Sequence, residues 1–445
     1  MVTYHSPEDW QEWTDWLSCG LHARNRWRLP VLMLGILFAT GRRTVSSWLR
    51  AAGVSTDYQD YYYFLQSVGS HVGEIAERLL VLLLRHLPLG ERLLLAVDDS
   101  PTKRYGPHVQ GAGIHHNPTP GPADQKYVYG HIWVTVSLVV RHAAWGTIGL
   151  PLLAMLYIRK KDFTPITAQY GWEFQTKLEL AVKALRRFIK LLKAAGKKVW
   201  VVADGAYANR SFLKPMLQSG VTVVSRLRRN AALRSLPPPL KPDQKRGQGR
   251  PPTYGKKRLS LAKRAGQKRG WQTVDCVLYG KRVTKTVKTF LATYAPAGGR
   301  IRVVIVREDK GCQFFFCTDP EASVVEILEA FADRAAIEQD FHDVKEIWGS
   351  GQQQVRNLWT NIAVFNLNLW MHTLIEMWCW NKAQGELTDR GDSPWDDPDR
   401  RPSHADRRQA LQRASLAQEF ASLPIPEPVR EKIRSLLRRL TRIAA

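Results

Sequence analysis

Three acidic residues, far apart in the chain, sit in contexts that could do chemistry together. Asp98 ends the apolar run in "LLLAVDDS" (93–100), Asp204 ends the one in "KKVWVVADGAY" (197–207), and Glu338 lies in "RAAIEQDFHDVKEIWG" (334–349). A short apolar run closed by a carboxylate reads as a strand buried on both faces, with a site at its C-terminal end. An unpaired carboxylate is costly there, and two or three together repel unless a cation neutralises them. Mg2+ suits such a set, since it takes oxygen ligands from one or two carboxylates and from phosphate. Two such ions, about 3.5–4 Å apart, would stabilise the attacking and leaving oxygens of an in-line phosphodiester displacement. Asp99 competes with Asp98 for the first position. Alternation does not separate the two in a strand apolar on both faces.

The third carboxylate depends on a helix expected over 322–347. At about 100° per residue, Phe331, Arg334, Glu338 and Lys345 share one face, and Ile337, Phe341, Val344 and Trp348 form an adjacent apolar stripe. Glu338 then borders the packed face and leans over the sheet edge, while Asp340 and Asp343 point outward. Arg334 and Lys345 flank it and are placed to hold phosphates. The plainer reading of the same residues is a solvated helix with an Arg–Glu i,i+4 pair, worth only ~0.2–0.5 kcal/mol.

Elements that must position these residues follow from the texture of the chain. Residues 1–90 read as helices, opened by Ser6. The apolar segment 30–39 and "GRRTVSSWLRAAG" (41–53), with Thr44 as N-cap and Gly53 as stop, form either a helix-turn-helix or part of a plain bundle. In both, Arg42, Arg43 and Arg50 can reach phosphates. Residues 91–225 alternate strands and helices: strands at 93–100, 127–140, 147–158 and 197–207, and a long helix at 168–195. They form the first part of an α/β core with mixed strand directions. A β-rich insertion follows over 226–318, helices carrying Glu338 over 319–382, and a charged linker with a last helix, "VREKIRSLLRRLTRI", over 383–445. His115, His116 and His131 fall near the first carboxylates and suit hydrogen bonds better than Mg2+ ligation. Lys103 and Arg104 are candidates for phosphate contact.

Charge says what the partner is. The 445 residues hold 65 Lys and Arg against 40 Asp and Glu, a net +25, the footprint of a polyanion partner. Residues 226–288 alone carry 19 Lys and Arg against two acids, Asp243 and Asp275, a net +17. This stretch, with Arg250, Lys256 and Lys257 among its basic residues, is expected to lie against a nucleic-acid backbone. Five cysteines without zinc-ribbon spacing read as reduced thiols of a cytoplasmic protein. No signal-peptide pattern opens the chain, and its apolar runs fall short of the ~20 residues that span a bilayer.

The spacing Arg-x3-Glu-x6-Lys over 334–345, with "AVDDS", "VVADGAY" and the "GRPPTYG" insertion, resembles the bacterial insertion-sequence transposases of the DDE type with a YREK signature. The resemblance implies an RNase H-like mixed sheet flanked by helices, with Asp98, Asp204 and Glu338 binding two Mg2+ (or Mn2+) ions. Asp98 is preferred over Asp99 because it fits the family's Asp-x-Ser/Thr pattern. Arg334 and Lys345 are then implied to contact element-end DNA. Cut-and-paste transposition follows: double-stranded DNA as substrate (terminal inverted repeats and target), a homodimer in the DNA complex, no membrane, and a cytoplasmic, nucleoid-associated location. Phe331 stands where the family has tyrosine, and no tryptophan falls in the strands just before the helix. The alternatives are an inactive DNA-binding regulator and a metal-dependent nuclease without strand transfer.

Overall fold

A computed structural model describes residues 6–117, 125–238, 251–388, 395–397, 399–422 and 429. Five helices come first: α1 Glu8–Ser18, α2 Arg28–Phe38, α3 Val45–Ala51, α4 Tyr58–Ser70 and α5 Val72–His86. Strands β1 Arg92–Lys103, β2 Gly113–His116, β3 Tyr127–His142 and β4 Gly146–Tyr157 follow, then helices α6 Thr164–Tyr170 and α7 Lys177–Ala194. After β5 Lys198–Ala203, α8 Arg210–Gln218 and β6 Thr222–Arg226, the insertion supplies β7 Leu233–Arg234, β8 Arg258–Leu259, α9 Leu261–Gly266, β9 Gln272–Leu278, β10 Lys281–Tyr294, β11 Gly299–Glu308 and β12 Gly311–Cys317. The last described elements are α10 Val324–Asp333, α11 Ala335–Glu346, α12 Leu358–Cys379, α13 Gln384–Leu387 and α14 His404–Ser422.

The strands form one mixed sheet, and its centre has the order β4-β3-β1-β5-β6. The β1, β5 and β6 strands are parallel, while β3 runs antiparallel to both β1 and β4. With helices on both faces, this is the expected RNase H-like mixed α/β arrangement. The insertion continues the same sheet, because β12 pairs antiparallel with β6 and hands on to β11 and β10. β9 and β10 make a hairpin whose turn, Tyr279 and Gly280, has positive φ at both residues (53° and 76°). Such a turn matches the right-handed twist of paired strands.

Alternation along the central strands divides the apolar core in two. Leu93, Leu95, Val97, Val199, Val201 and Ala203 face one cluster, on the side of α7. Leu94, Ala96, Trp200 and Val202 face the other, with Ile327, Phe331, Ile337 and Phe341 of α10 and α11. The N-terminal helices belong to the first cluster. Thr44 caps α3 as expected, accepting from the Ser47 amide at 3.2 Å. The α2 and α3 helices pack so closely that a Cβ on Gly35 would lie 2.3 Å from the Trp48 carbonyl oxygen.

Several expectations shift. β1 does not stop at Ser100 but runs on to Lys103. Past Val97 it pairs only with β3, because its parallel partner β5 ends at Ala203. The helix expected over 322–347 is two segments meeting at Arg334, whose own backbone is right-handed helical (φ −53°, ψ −30°). The 168–195 helix starts later, at Lys177, where Thr176 and Glu179 form a capping box. A helix at 404–422 was not expected. The helix read at 429–443 lies outside the described residues, except Val429. Among the described residues no helix is long and apolar enough to cross a membrane.

Candidate active site

Register brings two of the three carboxylates level. Val97 pairs with Ala203, so Asp98 and Asp204 are the next residues on adjacent parallel strands. Both follow residues of the α7 cluster, so alternation turns both to the α10/α11 face. One strand further on, Ala203 pairs with Ser225, which sets Arg226 at the same level. The Ser225 hydroxyl donates to the Asp204 carbonyl oxygen at 3.0 Å and pins that turn. Burial pushes the Asp98 carboxyl up to about 6, against the pull of Arg334 and of the Asp99 amide; the charges of Asp99 and Asp204 push the same way as burial.

Alternation separates the two neighbouring aspartates after all. Asp99 points to the α7 face, where Lys177 donates to its Oδ2 at 2.7 Å. Tyr207 is buried on that side. Its hydroxyl is held protonated by burial and by the charges of Asp99, Asp98 and Asp204.

Arg334 joins the strand to the helix. Its Nη1 donates to Asp98 Oδ2 at 2.6 Å and its Nη2 to Glu338 Oε1 at 2.7 Å. One guanidinium thus bridges two of the three carboxylates. Phe331 is a platform for it: Arg334 lies 5.4 Å from the ring centroid and Arg226 5.8 Å. Phe315 holds that ring from the sheet side, at 4.8 Å between centroids. Lys345 donates to the Ser100 hydroxyl at 2.6 Å, two residues beyond Asp98 on the same face. Arg334, Glu338 and Lys345 therefore line one seam between β1 and α11.

Asp340 and Asp343 do not point outward. They are 2% and 7% exposed. The apolar stripe accounts for only part of the packing: α11 also meets β3 and β4 through Asp340 and α12 through Asp343. Asp340 accepts from the Ser137 hydroxyl at 2.8 Å and lies over Gly149, where a Cβ would stand 2.2 Å from Oδ2. Asp343 accepts from Gln339 at 2.8 Å and lies 3.6 Å from His372 Nε2. Burial opposes its charge, but His372, His404 and His342 together outweigh that and hold the carboxyl at about 2.

Among the described residues, Asp343, His372 and His404 place possible ligand atoms within 4.8 Å of one another. His404 has no lone pair to give, however. Its Nε2 accepts from the Trp348 indole at 2.9 Å, and its Nδ1 meets Glu376 Oε1 at 2.6 Å. Glu376 also accepts from Arg407. The cluster is a buried hydrogen-bonded network that fastens α14 to α12.

The other marked residues divide. Arg42 is exposed, and Gln354, with its amide oxygen turned toward the guanidinium, accepts from both terminal nitrogens at 3.2 Å. Arg43 is half-buried: its amide donates to Gln352 Oε1 at 2.8 Å and its stem packs on Gly349. Lys256 and Lys257 are exposed beside β8. Arg250 lies outside the described residues. Arg104 is buried rather than available on the surface, donating to the Gly351 and Gln353 carbonyls. His131 accepts from Arg104 at Nδ1 and meets the Gln110 carbonyl at Nε2, so it ties loops together. Sequence pattern alone does not single out Lys177, Arg226 and Tyr207 as site residues. Arg226 had a signal, since "VTVVSR" is a third buried strand ending in a charged residue beside Asp204.

The donor set fits hard divalent cations. Asp98, Asp204 and Glu338 offer only carboxylate oxygens. Asp98 is partly buried beside further negative charge, and the site already uses a guanidinium to balance two of the acids. No curated protein matches the chain. The sequence profile of the DDE superfamily endonucleases matches residues 17–289, a span that holds Asp98 and Asp204 and stops before Glu338. With more than half its length matched, and two acids of its candidate site inside the match, the chain belongs to the DDE superfamily endonuclease family.

Proposed function

We propose that this chain is a DNA transposase. It binds the terminal repeats of a mobile element, cuts phosphodiester bonds in a metal-dependent reaction and joins the freed 3′-hydroxyl to target DNA. The observation that carries this reading is the level placement of Asp98 and Asp204 on parallel strands, under the helix that presents Glu338. Two Mg2+ or Mn2+ ions held by these three residues would neutralise charge on the attacking and leaving oxygens.

The chain's own groups do the positioning. Arg334 and Arg226, stacked on Phe331, offer two guanidinia where the scissile phosphate must lie, and planar guanidinium suits phosphate oxygens. Lys345 extends the positive seam along β1. Asp99, held by Lys177 on the far face, stays out of the reaction. The basic insertion, with Arg250, Lys256 and Lys257, and the N-terminal residues Arg42 and Arg43 carry the flanking DNA. Two copies of the chain hold two element ends.

The test uses purified protein, Mg2+ or Mn2+, and duplex DNA from the inverted repeats flanking the gene. Asp98→Ala, Asp204→Ala and Glu338→Ala abolish nicking and joining while DNA binding persists; Asp99→Asn keeps both activities. Full cleavage by any of the three alanine variants sinks the proposal. Cutting without joined products reduces it to a nuclease.

A further inference from the structure

A second positively charged feature lies on the same seam, beyond the carboxylates. A cavity of about 420 Å3 opens where the α2–α3 loop, the loop after β1 and the loop between α11 and α12 meet. Arg42, Arg104 and Arg356 line it, with Tyr105, His108 and Gln354. Among the described residues no acidic side chain lines it.

Arg104 sits at its base and is 4% exposed. Its Nε and Nη1 are fixed by His131 and by the carbonyls of Gly351 and Gln353. Its Nη2 is buried and has no partner. A buried guanidinium whose partners are all neutral is an uncompensated charge, which is expensive to keep. Burial accordingly lowers its pKa to about 10. The walls are held in place by the same loops: Gln352 accepts the Arg43 amide, and Gln353 donates to the Arg43 and Gly349 carbonyls. Above them Arg42 and Arg356 are exposed, and Tyr105, 75% exposed, presents a free ring face.

We infer that this cavity is an anchoring site for a backbone phosphate of the bound DNA. Three arginines supply the charge, Arg104 from below and Arg42 and Arg356 from the rim, and Tyr105 stands beside the neighbouring sugar and base. Arg104 is six residues beyond Asp98 along the strand direction, roughly 20 Å at ~3.3 Å per residue. The inference rests on the proposed DNA reading for its ligand.

Binding is measured separately from cutting, in an Asp98→Ala/Glu338→Ala background without divalent metal. The probe is a fluorescent mixed-sequence duplex, titrated by anisotropy at several salt concentrations. Arg42→Ala and Arg356→Ala each weaken binding several-fold at low salt and lower the slope of log K against log salt by about one. Lys190→Ala, on the exposed outer side of α7, changes neither. Slopes unchanged in both arginine variants overturn the inference. A second arm titrates inorganic phosphate against thermal stability. If phosphate stabilises the parent but not the arginine variants while duplex binding is unaltered, the cavity is a small-anion site and the DNA assignment is wrong. A failure to cut leaves both arms readable, so the two proposals fail separately.

Discussion

Replacing Arg334 tests the electrostatics of the candidate site without relying on catalysis. In Arg334→Ala two charge-assisted hydrogen bonds are lost, at 2.6 Å to Asp98 and 2.7 Å to Glu338. They are unequal. The Glu338 side chain is 59% exposed, so its i,i+4 pair contributes only ~0.3–0.5 kcal/mol. The Asp98 side chain is 22% exposed and the Arg334 side chain 13%, which makes that bond the larger contribution, ~1.5–3 kcal/mol. Contact with the Phe331 ring adds ~0.5–1 kcal/mol. The expected loss is about 2–4 kcal/mol, a fall in Tm of several degrees. Arg334→Lys keeps one point charge, which cannot span two carboxylates, and lies between. The variant also leaves Asp98 and Glu338 without their shared counter-charge. Millimolar Mn2+ therefore raises the Tm of Arg334→Ala by more than it raises that of the parent. The assay is a thermal melt of each protein with and without Mn2+. A variant that melts with the parent, or gains no more from Mn2+, would refute the bridging role.

Two further outcomes follow from the buried groups behind the site. Glu376 balances Arg407 and His404 in the interior, so Glu376→Ala leaves a buried guanidinium unpaired and costs ~3–5 kcal/mol in chemical denaturation, more than Glu376→Gln; equal, small losses for both variants would contradict this. Burial raises the Asp340 carboxyl from 3.8 to about 7. A carboxyl raised on folding holds its proton in the folded state, so its stability contribution declines as pH rises from about 4 through 7 and levels off above. Asp340→Asn lacks this titration, so its Tm gains on the parent across that range; a difference independent of pH counts against the assignment.

Much of this was legible because the informative segments are buried on both faces. Runs such as "LLLAV" and "VWVVA" have one plausible state, and their neighbours in register then fix where Asp98 and Asp204 must sit. What the chain concealed has physical reasons. The strand read over 93–100 continues through "PTK", because beyond Val97 it has a single neighbour and a proline is tolerated as it is on an edge. Asp340 and Asp343 looked solvated because one helical stripe accounts for packing on one surface only, while α11 is covered on two. Helix α14 carries no strong apolar stripe. It is held by His404, Arg407 and Arg408, whose types signal solvent rather than core. The choice between Asp98 and Asp99 needed only the identity of the element on each side of β1, which no single strand can disclose.

The fastening of α14 also bears on the order in which the parts of the fold meet. Arg408 and Gln412 donate to the carbonyls of Leu37 and Ala39 at the end of α2, partners separated by 369 to 375 residues. During synthesis those carbonyls wait until α14 has emerged. Contacts of such span form late and slowly, so the N-terminal helices reach their final seat only after the carboxylate-bearing sheet has been made. A nascent fragment that stops short of α14 holds both aspartates without the brace, which ties the final seating of α2 to the synthesis of α14.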